Sequence, residues 1–141
     1  MPEEDTAPDL LELVAKQLDA VNRRDAEALA SLAAPDVVYD TSPSGFGVYE
    51  GQEAVGVFIT GYWDLFEELR FELEEALEMG NGVTFSVNRQ YARPVGSSAQ
   101  VEACEAHVTE WLDGKIKRVT VYIDIDEARA AGERLAASRR R

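Results

Sequence analysis

The stretch ACEAHVTEWLDGKIKRVTVYID, residues 103–124, contains two runs of alternating apolar and polar side chains that meet at Asp113-Gly114. Alternation with a period of two is typical of a half-buried β-strand, and Asp-Gly between two such runs indicates a tight hairpin turn. The same stretch holds the only His of the chain, His107, and its only Cys, Cys104. The sequence therefore predicts a long β-hairpin around which the other elements pack.

Helices are predicted on the N-terminal side of this hairpin. Thr6 and Asp9 form a plausible capping pair for a first helix, and Asp25 can cap a second, short helix. Apolar residues at helical spacing predict a third helix from Gln52 to Leu69, in which Gly56 and Gly61 suggest close approach to a neighbour. Asp126 is expected to cap a last helix that ends near residue 137.

Strands are predicted between and after these helices. Residues 36–40 form a short strand, residues 41–45 a turn, and residues 46–49 an exposed loop. Residues with inward-facing and outward-facing character alternate with a period of two in residues 71–79 and in residues 83–91, and a Gly-Asn-Gly turn lies between these two strands. Helices followed by antiparallel strands with tight turns predict an α+β fold, a curved antiparallel sheet folded over the N-terminal helices.

Length and charge limit the classes of protein that fit. The chain has 141 residues, 45% of them hydrophobic, which is the size of one domain. Residues 9–137 are expected to form that domain, between an acidic tail, residues 1–8, and a basic tail, residues 138–141. No apolar run reaches the ~20 residues of a membrane span, and the first residues do not match a signal peptide, so a cytoplasmic protein without membrane contact is expected. A net charge of −13 disfavours nucleic acid as a partner.

Several segments together resemble the SnoaL-like branch of the nuclear-transport-factor-2-like (NTF2-like) superfamily, over nearly the whole chain. They are Asp25-Ala26-Glu27-Ala28-Leu29 followed by residues 34–38, residues 49–54, and His107 with residues 113–116 and 122–124. The resemblance implies a cone of curved sheet closed by helices, a pocket at its wide end, and homodimerisation through the outer face of the sheet.

The resemblance also implies candidate catalytic residues. In ketosteroid isomerase, a member of the superfamily, the base is an Asp at the end of the first strand, and Asp40 is its counterpart here. The two hydrogen-bond donors of that enzyme fall on His107 and Gln17, so both donor types are changed. Polyketide cyclases carry an Asp in the last strand, where this chain has Val121, so the resemblance does not support an aldol-type cyclase.

Each of the two candidate catalytic residues has a structural alternative. His107 could be a buried imidazole satisfied by a neighbour, a ligand contact, or an acid–base group. Asp40 could hold its own turn by hydrogen bonds to the backbone, act as a general base, or contact a ligand. Strand parity places His107 and Cys104 on opposite faces, which argues against a shared metal ion. No metal and no cofactor are expected.

Further pocket residues are expected from the strand faces and the third helix. Arg89 lies on the apolar face of its strand, so it needs a carboxylate such as Glu105, or an anionic ligand. Aromatic side chains are interpreted as core or pocket wall. They are Phe58, Tyr62, Trp63, Tyr91 and Trp111.

Two functions of different classes remain open at this point. The first is a pocket that binds a small, largely apolar organic molecule carrying a carbonyl or hydroxyl group, with Asp40, His107 and Arg89 as convergent polar groups. If the pocket is catalytic, Asp40 would take a proton next to a carbonyl while His107 donates to the developing enolate oxygen. The alternative is a non-catalytic interaction module whose pocket is filled by side chains.

Overall fold

The fold combines four helices with one curled, open sheet of six strands. The computed structural model describes residues 9–139. The helices are α1 (Leu10–Asn22), α2 (Ala26–Ser31), α3 (Gln52–Trp63) and α4 (Ile125–Ser138). The strands are β1 (Ala33–Asp40), β2 (Val48–Glu50), β3 (Phe66–Gly80), β4 (Val83–Pro94), β5 (Val101–Leu112) and β6 (Lys115–Tyr122). The predicted α+β class is therefore confirmed.

Strand order across the sheet is β2-β1-β6-β5-β4-β3. The predicted hairpin forms β5 and β6, joined at a turn in which Asp113 and Gly114 both have positive φ, 55° and 77°. All pairs are antiparallel except β1 with β6, which run parallel. The sheet is thus not antiparallel throughout, because β1 reaches β6 through the long connection that contains the other strands.

Several predicted boundaries are wrong. Helix α1 has Asp9 as its N-cap, whereas Thr6 lies outside the described residues. The third helix ends at Trp63, and Leu69 belongs to β3. Asp124, not Asp126, caps α4 by accepting a hydrogen bond from the amide of Glu127 at 3.0 Å. In each case a capping carboxylate or a sheet partner fixes the real end, and local spacing alone does not locate it.

Other corrections concern the loop, the glycines and the C-terminal tail. Part of the loop predicted at residues 46–49 pairs with β1 as strand β2. A Cβ on either Gly56 or Gly61 would meet nothing within 4 Å, so these glycines do not mark a close approach. Ser138 belongs to α4, and the side chain of Arg139 lies 3.8 Å from Glu110, so the predicted tail begins inside the packed structure.

The core is divided between the two faces of the sheet. On the concave face, α1 and α3 pack with β1 and β6 around residues such as Val14, Val37 and Val119. On the opposite face, α4 covers Phe85 and Val108. Homodimerisation through the outer face stays a prediction. Because α4 covers this part of the outer face, a dimer would form through the part of that face that α4 leaves free. Within residues 9–139, no helix is long and apolar enough to cross a membrane.

Candidate functional site

A cavity of about 120 Å³ lies between the concave face of the sheet and helices α1 and α3. We call it the inner cavity. Its walls are mostly apolar and include Val14, Val37, Phe71 and Val119. A second space of about 290 Å³, the outer cavity, lies beside it. Three aromatic side chains line both cavities, and they are Tyr39, Phe58 and Tyr62.

The inner cavity is apolar except for a small set of uncharged polar side chains. Gln17 comes from α1, Ser86 and Asn88 from β4, and His107 from β5. Ser86 and His107 are directly opposite each other in the β4–β5 pair, so the register places both on the concave face. Within residues 9–139, the side chains of Gln17, Ser86 and Asn88 have no hydrogen-bond partner. They are therefore available to a ligand.

His107 is paired with Glu105 along the same strand. Its Nε2 lies 2.8 Å from Oε2 of Glu105, and the two side chains are only 13% and 27% exposed. Glu105 lines the outer cavity and His107 the inner one, so the pair connects the two spaces. With the proton on Nε2 the imidazole donates to Glu105, and Nδ1 is left as an acceptor. This arrangement resembles an oriented acid–base group.

The two tyrosines shared by the cavities are neutral phenols. Burial raises the pKa of Tyr39 above its ordinary value, and the nearby Glu105 and Tyr62 raise it further. Burial also raises the pKa of Tyr62, against the lowering effect of its hydrogen bond with Gln90, and Glu105 adds to the rise. Tyr62 donates to Oε1 of Gln90 at 3.0 Å. At neutral pH both side chains can donate hydrogen bonds but cannot act as bases.

Asp40 does not face either cavity. Tyr39 points inward from β1, so its neighbour Asp40 lies on the other face. There Oδ1 accepts hydrogen bonds from the amide and hydroxyl of Ser42 at 2.9 and 2.6 Å, and Oδ2 accepts one from Arg118 at 2.6 Å. Burial alone would raise the pKa of Asp40, but these bonds from Ser42 and Arg118 lower it below its ordinary value. The prediction that Asp40 and His107 converge is wrong.

A family model for the SnoaL-like domain matches residues 14–119. The chain belongs to the SnoaL-like domain family. The resemblance predicted from the sequence is confirmed by this match, which covers most of α1, helices α2 and α3, the residues that line the inner cavity, and the hairpin as far as Val119. No curated protein matches the chain.

Three solved structures share the fold of this SnoaL-like domain at low sequence identity. An NTF2-like protein of unknown function from Burkholderia pseudomallei is 21% identical, with a TM-score of 0.72, over 86% of this chain and 95% of that one. TerC, co-crystallised with polyporic acid, is 17% identical, with a TM-score of 0.71, over 88% and 97%. A protein of ketosteroid isomerase-like fold from Catenulispora acidiphila, in complex with trimethylamine, is 16% identical, with a TM-score of 0.72, over 86% and 92%. At these identities the likeness shows the fold.

Six of the ten residues predicted for the site of this SnoaL-like domain line a cavity. They are Gln17, Phe58, Tyr62, Trp63, Glu105 and His107. That they contact a ligand stays a prediction. Within residues 9–139, no group of three or more His, Cys, Asp or Glu side chains is arranged to hold a metal ion.

The other predicted residues, besides Asp40, also lie away from the cavities. Arg89 is on the outer face, where it pairs with Glu74 at 2.6 Å and lies 3.7 Å from Glu102, so its expected pairing with Glu105 is wrong. Tyr91, on the same face, lies under the guanidinium of Arg70. Trp111 is buried in the core and donates from Nε1 to Thr84 at 2.9 Å.

Sequence reasoning missed Tyr39, Ser86 and Asn88. The apolar face of β4 was expected to meet the pocket, but that face packs under α4, and the polar face lines the inner cavity. One signal was present: the polar face carries Thr84, Ser86, Asn88 and Gln90, without a charged residue, whereas the polar positions of β3 are rich in Glu. Glu, Asp, Lys and Arg are almost never fully buried without a partner, so a polar face that lacks them can turn inward more readily than a charged one.

Proposed function

We propose that this SnoaL-like protein binds a small, largely apolar organic molecule that carries a carbonyl or hydroxyl group. The observation that carries the proposal is the set of uncharged polar side chains without partners in an otherwise apolar inner cavity. Among the described residues, the fully buried side-chain polar atoms without a partner do not include those of Gln17, Ser86 or Asn88, so these groups are open to the cavity and a ligand carbonyl or hydroxyl can bond to them. Convergent polar groups in an apolar pocket are the usual composition of a small-molecule site.

Each polar group has a role in this proposal. Asn88 offers both a donor and an acceptor, so it can bond a carbonyl or a hydroxyl, and Gln17 offers the same chemistry from α1. His107 accepts at Nδ1 when Nε2 donates to Glu105. The alternative of an interaction module with a filled pocket is disfavoured by the two cavities.

The first experiment looks for the ligand without bias. Native mass spectrometry of the purified protein, before and after denaturation, would detect a co-purified small molecule. A thermal-shift screen of ketones, aromatic alcohols and fatty acids then ranks ligand classes. Trp63 lines the inner cavity, so its fluorescence is expected to change on binding, and the change should disappear in Trp63→Phe.

A pair of variants tests the site itself. Asn88→Leu replaces an inner-cavity amide with an apolar side chain and is expected to weaken binding by about tenfold or more. Gln100→Leu makes the same change at an exposed position away from both cavities and should leave binding unchanged. Equal affinities for Asn88→Leu and the wild type would contradict this site.

A second candidate function, proton transfer next to a carbonyl, is favoured by the His107–Glu105 pair. His107 would be the base, with Glu105 orienting the ring and stabilising its protonated form. Tyr39, a neutral phenol at the boundary of both cavities, would donate to the developing enolate oxygen. The reaction requires no group beyond these side chains.

Hydrogen–deuterium exchange at the carbon next to a carbonyl, followed by NMR in D2O, tests this function on any ketone that binds. Exchange should be lost in His107→Gln, reduced in Glu105→Gln, and retained in Asp40→Asn, since Asp40 lies on the other face. Retention in His107→Gln, or loss in Asp40→Asn with the protein still folded, would reject His107 as the base.

A further inference from the structure

The charged side chains that line the two cavities are unusually few. Among the residues of 9–139 that line the inner or the outer cavity, Glu105 is the single carboxylate, and none is a Lys or an Arg. Glu105 is hydrogen-bonded to His107 and has no Lys or Arg partner in the described part of the chain. No Lys or Arg among the lining residues of the described chain therefore balances this carboxylate, and its side chain is only 27% exposed.

Aromatic rings surround the same place. The ring centroids of Tyr39 and Phe58 are 5.7 Å apart, and those of Phe58 and Tyr62 are 6.5 Å apart. All three line both cavities, and Phe46 adds an exposed ring to the wall of the outer cavity. The faces of aromatic rings attract cations, and a desolvated contact contributes about 2 kcal/mol or more.

The carboxylate of Glu105 and the rings of Tyr39, Phe58 and Tyr62 lie around the same cavity. Burial is the main reason why the pKa of Tyr39 and of Tyr62 is raised, and the charge of Glu105 raises both further. Glu105 lines the outer cavity together with Tyr39, Phe58 and Tyr62, so the carboxylate and the rings border one space. A positive charge held between the rings would also be held near Glu105.

We propose that the ligand of this pocket is an organic cation, a protonated amine or a quaternary ammonium whose apolar substituent carries the carbonyl or hydroxyl group. Its charged nitrogen occupies the outer cavity between Glu105 and the rings of Tyr39, Phe58 and Tyr62, and its apolar part, with the oxygen group, enters the inner cavity. This inference rests on the proposed function and narrows its ligand class. An anion of similar shape is excluded, because it would meet Glu105 without a compensating cation.

The volumes of the two cavities agree with an apolar group in the inner cavity and a charged nitrogen in the outer one. The inner cavity of about 120 Å³ is slightly smaller than the ~150 Å³ space that holds benzene in an engineered protein, so it suits a phenyl-sized group. The outer cavity of about 290 Å³ has room for an ammonium head with methyl substituents. The net charge of −13 also favours the approach of cations over anions at low ionic strength.

Three probes of similar shape and different charge test the inference by isothermal titration calorimetry at pH 7. They are (4-hydroxybenzyl)trimethylammonium, its neutral carbon isostere 4-neopentylphenol, and the anion 4-hydroxyphenylacetate, all of which carry a hydroxyl group. The cation should bind at least about tenfold more tightly than the neutral isostere, and 4-hydroxyphenylacetate should show no binding. Binding of the neutral isostere without a preference for the cation overturns this inference alone. Absence of binding by all three contradicts both this inference and the proposed function.

Two variants with the same change in net charge make the test specific to the cavity. Glu105→Gln removes the carboxylate but keeps its shape and its ability to accept from His107. It should weaken binding of the cation about tenfold and leave the neutral isostere within twofold. Glu102→Gln removes a carboxylate near Arg89 on the outer face and should change neither. If both variants bind the cation equally weakly, the effect comes from the net charge of the protein, and the proposed cation site at Glu105 is wrong.

Discussion

Arg118 donates a hydrogen bond of 2.6 Å to Oδ2 of Asp40, on the face of the sheet turned away from the cavities. The two side chains belong to β6 and β1, the one parallel strand pair of the sheet. Oδ1 of Asp40 meanwhile holds Ser42, in the turn that leads to β2. The two oxygens of the Asp40 carboxylate thus connect β1 to the turn that follows it and to the neighbouring strand β6. Its role is to stabilise the β1–β6 pair.

The first prediction follows from the lowered pKa of Asp40. A carboxyl whose pKa is lower in the folded than in the unfolded protein stabilises the fold at pH values above its ordinary pKa of ~3.9. This contribution is lost as pH falls through the folded-state pKa. Asp40→Asn should therefore lower the free energy of unfolding by about 1–3 kcal/mol at pH 7, and by progressively less in acid. Urea unfolding of both proteins at several pH values measures the difference.

Asp36→Asn is the matched control for this prediction. Asp36 also lies on β1 and pairs with Lys117 on β6 at 2.7 Å, but its side chain is 72% exposed. An exposed pair contributes little because water and salt screen it. The loss of stability should be clearly smaller than for Asp40→Asn. A similar loss in both variants would mean that burial does not strengthen the Asp40 interactions.

The second prediction compares two helical glycines in different surroundings. A Cβ on Gly61 in α3 would meet nothing within 4 Å, so Gly61→Ala should raise the free energy of unfolding by about 0.5–1 kcal/mol through helix propensity. A Cβ on Gly132 in α4 would lie 2.7 Å from Sδ of Met79, so Gly132→Ala must displace that side chain. We expect Gly132→Ala to be less stable than Gly61→Ala by about 1–3 kcal/mol. Thermal unfolding followed by circular dichroism ranks the two, and the reverse order would contradict the packing of α4.

Local patterns in the sequence were enough to predict most elements of this fold. The alternation in β5 and β6 and the Asp113-Gly114 turn are encoded by neighbouring residues, so the hairpin could be predicted. The ends of α3 and β2 could not, because they depend on pairing. Residues 66–69 join β3 because β4 lies beside them, although their spacing continues the helical pattern of α3. Non-local pairing competes with local propensity at such boundaries.

The candidate site was predicted less completely, for a reason that lies in strand register. His107 was placed on the concave face, but which face of β4 joins it depends on whether residue 86 or residue 85 lies opposite residue 107. The structure pairs Ser86 with His107, which turns the uncharged polar face inward. A shift by one residue exchanges the two faces of a strand, so no pattern within β4 alone could decide this. The same parity on β1 turns Tyr39 inward and Asp40 outward.

The third prediction concerns the contact between α1 and the edge of the sheet. The side chain of Asn22 donates to the carbonyl of Phe71 at 2.9 Å and accepts from its amide at 2.8 Å. Both backbone groups of Phe71 on the edge strand β3 are thus satisfied by one amide. Asn22→Ala should lower the free energy of unfolding by about 1–2 kcal/mol. Hydrogen exchange measured by NMR should show faster exchange of the Phe71 amide, and unchanged protection there would contradict the prediction.

The fourth prediction concerns the buried pair of Thr84 and Trp111, which joins β4 to the hairpin. The indole Nε1 donates to Oγ1 of Thr84 at 2.9 Å, and the two residues are 1% and 3% exposed. Thr84→Val keeps the shape of the side chain but leaves the indole N–H without this partner. It should cost about 1–3 kcal/mol of unfolding free energy, the penalty for a buried, unpaired donor.

Thr84→Ser separates the hydrogen bond from packing. It keeps the hydroxyl and removes one methyl group, at a cost of about 1 kcal/mol for the lost apolar contact. If the hydrogen bond matters more than the methyl group, Thr84→Val is the less stable of the two in urea unfolding, and the near-ultraviolet signal of Trp111 changes in that variant. Because Trp111 lies outside both cavities, ligand binding should stay unchanged in both variants at temperatures where they are folded. A loss of binding in folded Thr84→Val would instead place Trp111 in contact with the site.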